Sequence, residues 1–130
     1  DESAVRSAAE DLRTSAEPLM ERCAFSEYLD KVMRLADATN RYIDVTSPFK
    51  LAKDPSQRER LGTILYTCAE AVRILLVYLE PVMPATVPAG LSQLGWHRPA
   101  DVTLIDLGGW GVLASGTATV KGGGLFPRME

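Results

Sequence analysis

The chain has 130 residues, 46% hydrophobic and 24% charged, with a formal net charge of −3. Those figures fit one globular domain with a single core of modest size and exclude disorder along the whole length. No apolar run approaches the roughly 20 residues needed to span a bilayer, and no signal-peptide order is present, so the chain reads as cytoplasmic, with no membrane partner.

The net charge hides a split. Residues 1–30 hold 3 basic and 8 acidic side chains, residues 31–60 hold 7 and 4, and residues 61–130 hold 4 and 5. An acidic domain is a poor non-specific binder of nucleic acid, because attraction to phosphate grows with the number of basic contacts. A polyanion would therefore be met locally, in the middle third, and no DNA partner is expected. The first residue is Asp1 rather than Met, and the sequence opens directly into a helical pattern, so it reads as a piece of a longer protein.

Val5, Ala8, Ala9, Leu12, Ala16, Leu19 and Cys23 recur at three- and four-residue steps. They predict an amphipathic helix over residues 2–23, with Pro18 expected to kink it near Thr14–Ala16. Ser26 is the expected N-cap of a second helix, whose stripe is Leu29, Val32, Leu35, Ala36, Thr39, Tyr42 and Ile43. Pro48 disfavours helical geometry at Ser47, so this helix should end near Asp44–Thr46.

Asp54-Pro55-Ser56 signals a turn, and from Gln57 the pattern is again helical. Leu61, Ile64, Leu65, Cys68, Val72, Leu75, Leu76 and Leu79 predict the most buried helix, ended by Pro81 and Pro84. Pro84 suits the first residue of a short fourth helix through about Leu94, with Gly95 as its stop. Beyond Gly95 the Gly, Thr and Val content predicts an extended tail with one or two short strands. The domain reading is a helical bundle over 1–95 and a tail over 96–130 that leans on the bundle or on another domain. The fold class is all-α, an antiparallel helix bundle.

The residues of a reaction centre are missing. The chain has a single histidine, His97, and two cysteines, Cys23 and Cys68, read as buried thiols; no zinc set can close. No phosphate-binding glycine loop or nucleophile elbow occurs, and the Glu10-Asp11 pair lies on a solvated helix face. The chain by itself is thus not read as an enzyme, and no cofactor is expected to bind it.

The stretch NRYIDVTSPFKLAK, Asn40 to Lys53, carries a ring directly after a proline and just before two lysines. Phe49 is either a plug packed on the helix it follows or a platform for a base or ligand. The residues alone leave both readings open.

The order of the segments adds to this. LADATNRYIDVTSPFKLAK, LGTILYTCAEAVRILLVYLEPVMPATV, a tryptophan-glycine pair and a closing LFPRME stand in sequence over about residues 25–130. This arrangement resembles the C-terminal anticodon-binding domain of bacterial methionyl-tRNA synthetase. In that family the matching segments read N-R-Y-[I/V]-D/N-x-x-x-P-W-x-x-x-K, L-x-x-[VI]-L-Y-x-x-x-E-x-x-R-[IV], P-x-M-P and L-F-P-[RK]-x-E.

The resemblance implies a bundle of the class I aminoacyl-tRNA synthetase anticodon-binding type. It implies as partners the anticodon loop of methionine tRNA and the parent's own catalytic domain, which would bind ATP and methionine. The catalytic signatures of the family are not in this chain, and the family's first bundle helix, with its anticodon-reading asparagine and arginine, is placed upstream of Asp1. The aromatic after the proline carries over: the family usually has tryptophan there, and Phe49 keeps a π-face while losing area and the indole donor. Anticodon loops are read by splaying bases onto aromatic rings while cations hold phosphates. On that basis the RNA-binding candidates are Phe49, Pro48, Lys50, Lys53, Arg41 and Arg58, with Arg60 beside them. Arg41 has a competing structural role, pairing with Asp37 or Asp44 at helical spacing. The alternative reading is a stand-alone, non-catalytic helical module that docks a protein through its acidic first segment and its apolar tail.

Overall fold

A helix with an apolar stripe must bury it, and three helices here bury theirs against one another. In the computed structural model, which describes residues 2–130, these are α1 (Ser3–Glu21), α2 (Phe25–Thr46) and α4 (Arg58–Leu79). The single-turn α3 (Pro48–Leu51) and a 3-10 turn at Pro55–Gln57 join the second to the third. Two short helices follow, α5 (Val87–Gln93) and α6 (Leu104–Leu107).

The core contains Val5, Leu12 and Leu19 of α1, Tyr28, Val32 and Leu35 of α2, and Ile64, Ile74 and Tyr78 of α4. Hydrogen bonds fix the relative directions. Tyr28, near the start of α2, donates its hydroxyl to the carbonyl of Tyr78, near the end of α4. At the other end Tyr42 and Arg60 both donate to the Glu2 carboxylate, just ahead of α1. The helices therefore run up, down and up, and the bundle is all-α and antiparallel between neighbours.

Pro18 lies exposed in the last turn of α1, an element that runs from Ser3 to Glu21, and its missing N–H removes the ladder bond to the Thr14 carbonyl. Several other local expectations are corrected. Helix α2 starts at Phe25 with Ala24 at its N-cap, not at Ser26. Cys23 takes a left-handed φ of 55°, and the reversal is closed by backbone bonds, Ala24 N–H to Leu19 C=O and Cys23 N–H to Met20 C=O. That turn needs no serine hydroxyl, and it leaves Cys23 exposed rather than buried; both cysteines are free. Pro84 does not open the fourth helix: α5 begins at Val87, with Pro88 in its first turn. Gly95, at φ 73°, stops it as the sequence predicts.

The expected face of α4 is rotated. Ile64 and Leu76 are buried as predicted, but Leu65 and Val72 are exposed, while Glu70 and Arg73 are wholly buried. The segment Pro55–Leu79 is also long and apolar enough, by length and composition, to cross a membrane. Its centre nevertheless holds that charged pair, enclosed by the bundle and tail.

The predicted strands do not form, and the described residues contain none. Instead the tail is hydrogen-bonded to α4. Arg73 donates to the carbonyls of Leu107 (2.6 Å) and Gly109 (2.8 Å). Glu70 accepts from the N–H groups of Gly111 (2.8 Å), Val112 (2.9 Å) and Leu113 (3.2 Å). Gly108 passes so close to Tyr78 that a Cβ there would sit 2.0 Å from the phenol oxygen. Farther on, Val120 N–H bonds Gln93 C=O and the Gln93 amide reaches the carbonyl of Gly123.

Candidate nucleic-acid interface

The turn that presents Phe49 follows from Pro48. A proline disfavours the right-handed helical region for the residue before it, and Ser47 leaves that region for a left-handed conformation, φ 47° and ψ 59°. Ser47 N–H still bonds Ile43 C=O at 2.9 Å, closing α2. Pro48 then opens α3, where Lys50 N–H bonds Ser47 C=O and Ala52 N–H bonds Pro48 C=O, each at 2.9 Å. Pro48 is buried and Phe49, the next residue, is 80% exposed. The proline, not the ring, is therefore the plug of this corner.

The ring edges an apolar hollow of about 220 Å³ lined by Ile43, Pro48, Ala52, Leu61, Leu65 and Cys68. Burial raises the Cys68 thiol pKa above its ordinary value. A second hollow of about 500 Å³ continues along α4 past Leu61, Gly62 and Leu65, with Asp54 and Arg58 on its edge. Asp54 is occupied locally: its carboxylate accepts from the Ser56 N–H (2.9 Å) and hydroxyl (2.7 Å), which lower its pKa.

Lys50, Lys53 and Arg58 are exposed, and among the described residues none of their side chains is held in a hydrogen bond or ion pair. Arg58 and Phe49 border the two hollows that share Leu61 and Leu65. Arg41 is elsewhere. It forms no pair with Asp37 or Asp44, and it lines a separate cleft of about 390 Å³ with Ala4, Asp37 and Val45 beside the start of α1. Arg60 is committed to Glu2. The Tyr42 hydroxyl, a backbone bond and Arg60 hold the Glu2 carboxyl down at about 2. Tyr42 itself is pushed up to about 12, first by burial and then by its bond to Glu2.

Sequence reasoning assigned Leu61 and Leu65 to the core, whereas they floor an open groove. The signal for this was weak, because one extra apolar position on a broadly apolar helix does not tell which face is covered. The packing of the tail decides it.

No protein-family profile matches the chain. It is 38% identical over 122 residues to the methionine–tRNA ligase of Caldanaerobacter subterraneus subsp. tengcongensis, covering 94% of this chain and 19% of that enzyme. It is 37% identical over 124 residues to the Bacillus subtilis strain 168 enzyme, covering 95% and 18%, and 43% identical over 97 residues to that of Streptomyces coelicolor, covering 70% and 18%. The crystal structure of apo methionyl-tRNA synthetase from Mycobacterium tuberculosis superimposes with a TM-score of 0.86 at 28% identity, over 99% of this chain and 26% of that one. The chain thus spans about a fifth of the curated relatives' length.

The fold and these likenesses together define an aminoacyl-tRNA synthetase domain of the all-α kind. Within that class the chain belongs to the methionyl-tRNA synthetase family, corresponding to its helical C-terminal domain.

Proposed function

We propose that this domain recognises the anticodon loop of methionine tRNA, and so supports ATP-dependent attachment of methionine by a catalytic domain elsewhere in the parent enzyme. ATP and methionine belong to that catalytic domain, and the setting is the cytoplasm. The observation that carries the proposal is Phe49: a ring 80% exposed, presented by a buried proline, over an apolar hollow and beside three uncommitted cations. A large exposed aromatic on a structured turn has a solvation cost that a stacked base would remove, and Pro48 lowers the ordering cost of presenting it.

Lys50, Lys53 and Arg58 supply the phosphate contacts in this reading. Arg41 is on another face and would contribute only long-range attraction. The test is tRNA titration of the full-length enzyme containing this domain, at fixed moderate salt. Phe49→Ala is expected to weaken binding of methionine tRNA by about 1–3 kcal/mol, the value of one stacked base. Unchanged affinity would remove Phe49 from the interface.

A further inference from the structure

Helix α4 carries apolar side chains on two faces. Ile64, Ile74 and Tyr78 belong to the bundle core, while Leu61, Leu65 and Cys68 line the hollow beside Phe49. Apolar burial is non-directional, so it fixes neither the rotation of such a helix about its axis nor its register against its neighbours. Hydrogen bonds are directional, and α4 has one concentrated set of them. Glu70 and Arg73 make two bonds to each other and five to the backbone of residues 107–113. On either side of the pair, Tyr66 donates to the Leu113 carbonyl (2.7 Å) and Tyr78 to the Leu104 carbonyl (3.0 Å). The strap gripped in this way, residues 104–113, is tied to α1 as well: Trp110 lies over Arg6, and Arg13 Nη1 donates to the carbonyl of Ile105. Successive helical residues turn by about 100°, which sets Leu61, Leu65 and Cys68 on the far side of α4 from the Glu70–Arg73 pair. The single turn α3 rests on α4, with Pro48 buried and Phe49 at the rim of the hollow that those three residues line.

We infer that Glu70 and Arg73 are positioning residues for tRNA binding: by gripping the strap they set the rotation of α4, and with it the seat from which α3 presents Phe49. Neither side chain touches RNA, since both are wholly enclosed. Their action runs through α4 to the residues beneath α3, and from there to the ring. This role rests on the reading of Phe49 as a base platform and adds the tail to it, because docking of the strap becomes a condition of the stacked contact. A stacked base depends on where the ring plane sits. The cations beside it are less sensitive, since Lys50 and Lys53 reach a phosphate through long flexible stems and follow a small shift of their backbone.

The test is a double-mutant cycle on the methionine tRNA affinity of the full-length enzyme, with Glu70→Gln and Gly108→Ala each made alone and together with Phe49→Ala. Glu70→Gln keeps the volume of the side chain and removes the charge that Arg73 and three backbone N–H groups meet. Gly108→Ala leaves both charged groups in place and pushes on the strap, because its Cβ would collide with the Tyr78 phenol. Titrations are made where far-ultraviolet dichroism shows each variant to be helical. Each of the two should weaken binding by about three- to tenfold in the otherwise unaltered enzyme, part of the worth of one stacked base, and by less than about twofold once Phe49 is alanine. Equal losses with and without Phe49 would show that the clamp acts by another route and would overturn the positioning role. Unchanged affinity in both variants would overturn it too, and in either case the platform stands if Phe49→Ala alone weakens binding. If Phe49→Ala alone costs nothing, the platform fails and the positioning role fails with it.

Discussion

Arg73 and Glu70 lie three residues apart on α4, both entirely buried, and grip one another through two hydrogen bonds, Nε to Oε2 at 2.9 Å and Nη2 to Oε1 at 2.8 Å. Arg73 also donates from Nη1 to the Leu107 carbonyl and from Nη2 to the Gly109 carbonyl, and the Glu70 oxygens accept from the N–H groups of Gly111, Val112 and Leu113. The pair therefore works as a clamp with a carbonyl-binding jaw and an amide-binding jaw. Trp96 completes the enclosure, its ring 5.1 Å from the guanidinium carbon.

Removing one jaw should be costly. With Glu70→Ala the Arg73 guanidinium loses its counter-charge inside the fold, and breaking a buried pair in this way typically costs about 3–5 kcal/mol. Chemical denaturation of the domain should show a loss of that size, and limited proteolysis should cut residues 107–125 faster. A midpoint within experimental error of the parent would show that the pair is dispensable.

Phe49 makes the opposite prediction for stability. Because its ring is mostly in water, Phe49→Ala and Phe49→Trp should each change folding stability by no more than about 0.5 kcal/mol. Phe49→Trp restores the wider ring usual in the family and should tighten tRNA binding of the full-length enzyme. Weaker binding with unaltered stability would argue that the hollow beneath is shaped for phenylalanine.

Acid should act through Glu2. Its carboxyl sits at about 2 in the folded chain against an ordinary value of 4.5, so the unfolded chain takes up its proton first as pH falls. The stability it confers is complete above about 4.5 and is lost as pH falls through that value toward 2. Glu2→Gln should flatten the dependence of unfolding free energy on pH in this window, and an undiminished slope would point to other carboxylates.

Alkali should act through tyrosine. Burial pushes Tyr28 and Tyr78 from 10 up to about 12, and Tyr42 reaches about 12 as well. Phenols whose folded values are raised stabilise the fold fully below 10, and that contribution is lost as pH rises toward 12. Unfolding in this window should therefore be steep, with tyrosinate absorbance appearing together with loss of helix rather than before it. Tyr28→Phe should ease the slope, while sacrificing the bond to the Tyr78 carbonyl.

Much of the bundle was legible because periodicity reports burial directly. Val5, Leu12 and Leu19, then Val32, Leu35 and Tyr42, lie inside as their spacing demands. The end of α2 at Thr46 was legible too, since Pro48 disfavours helical backbone at Ser47, although the left-handed conformation that Ser47 takes was not. Glu70 and Arg73 were not. Charged residues are read as solvated unless something marks them, and here the mark was an E-x-x-R spacing in the middle of the most apolar helix. The same blindness turned α4: once Arg73 faces inward to hold the tail, Leu65 and Val72 must face out. The tail misled because its glycines and β-branched residues suit strands, whereas its backbone groups are satisfied by side chains of α4 and not by a neighbouring strand. For the candidate interface, Phe49 with Lys50, Lys53 and Arg58 could be named from local sequence, but the separation of Arg41 from them depends on which side of α2 meets α1.

The two indoles give this architecture a built-in optical gauge. Trp96 and Trp110 both belong to the segment beyond α5, and each rests over an arginine of the long helices, Trp96 on Arg73 and Trp110 on Arg6 at 5.3 Å. Their emission will follow undocking of that segment, while far-ultraviolet dichroism follows the helices. A denaturant titration recorded by both signals can thus distinguish a strap that peels away early from one that melts with the body it binds.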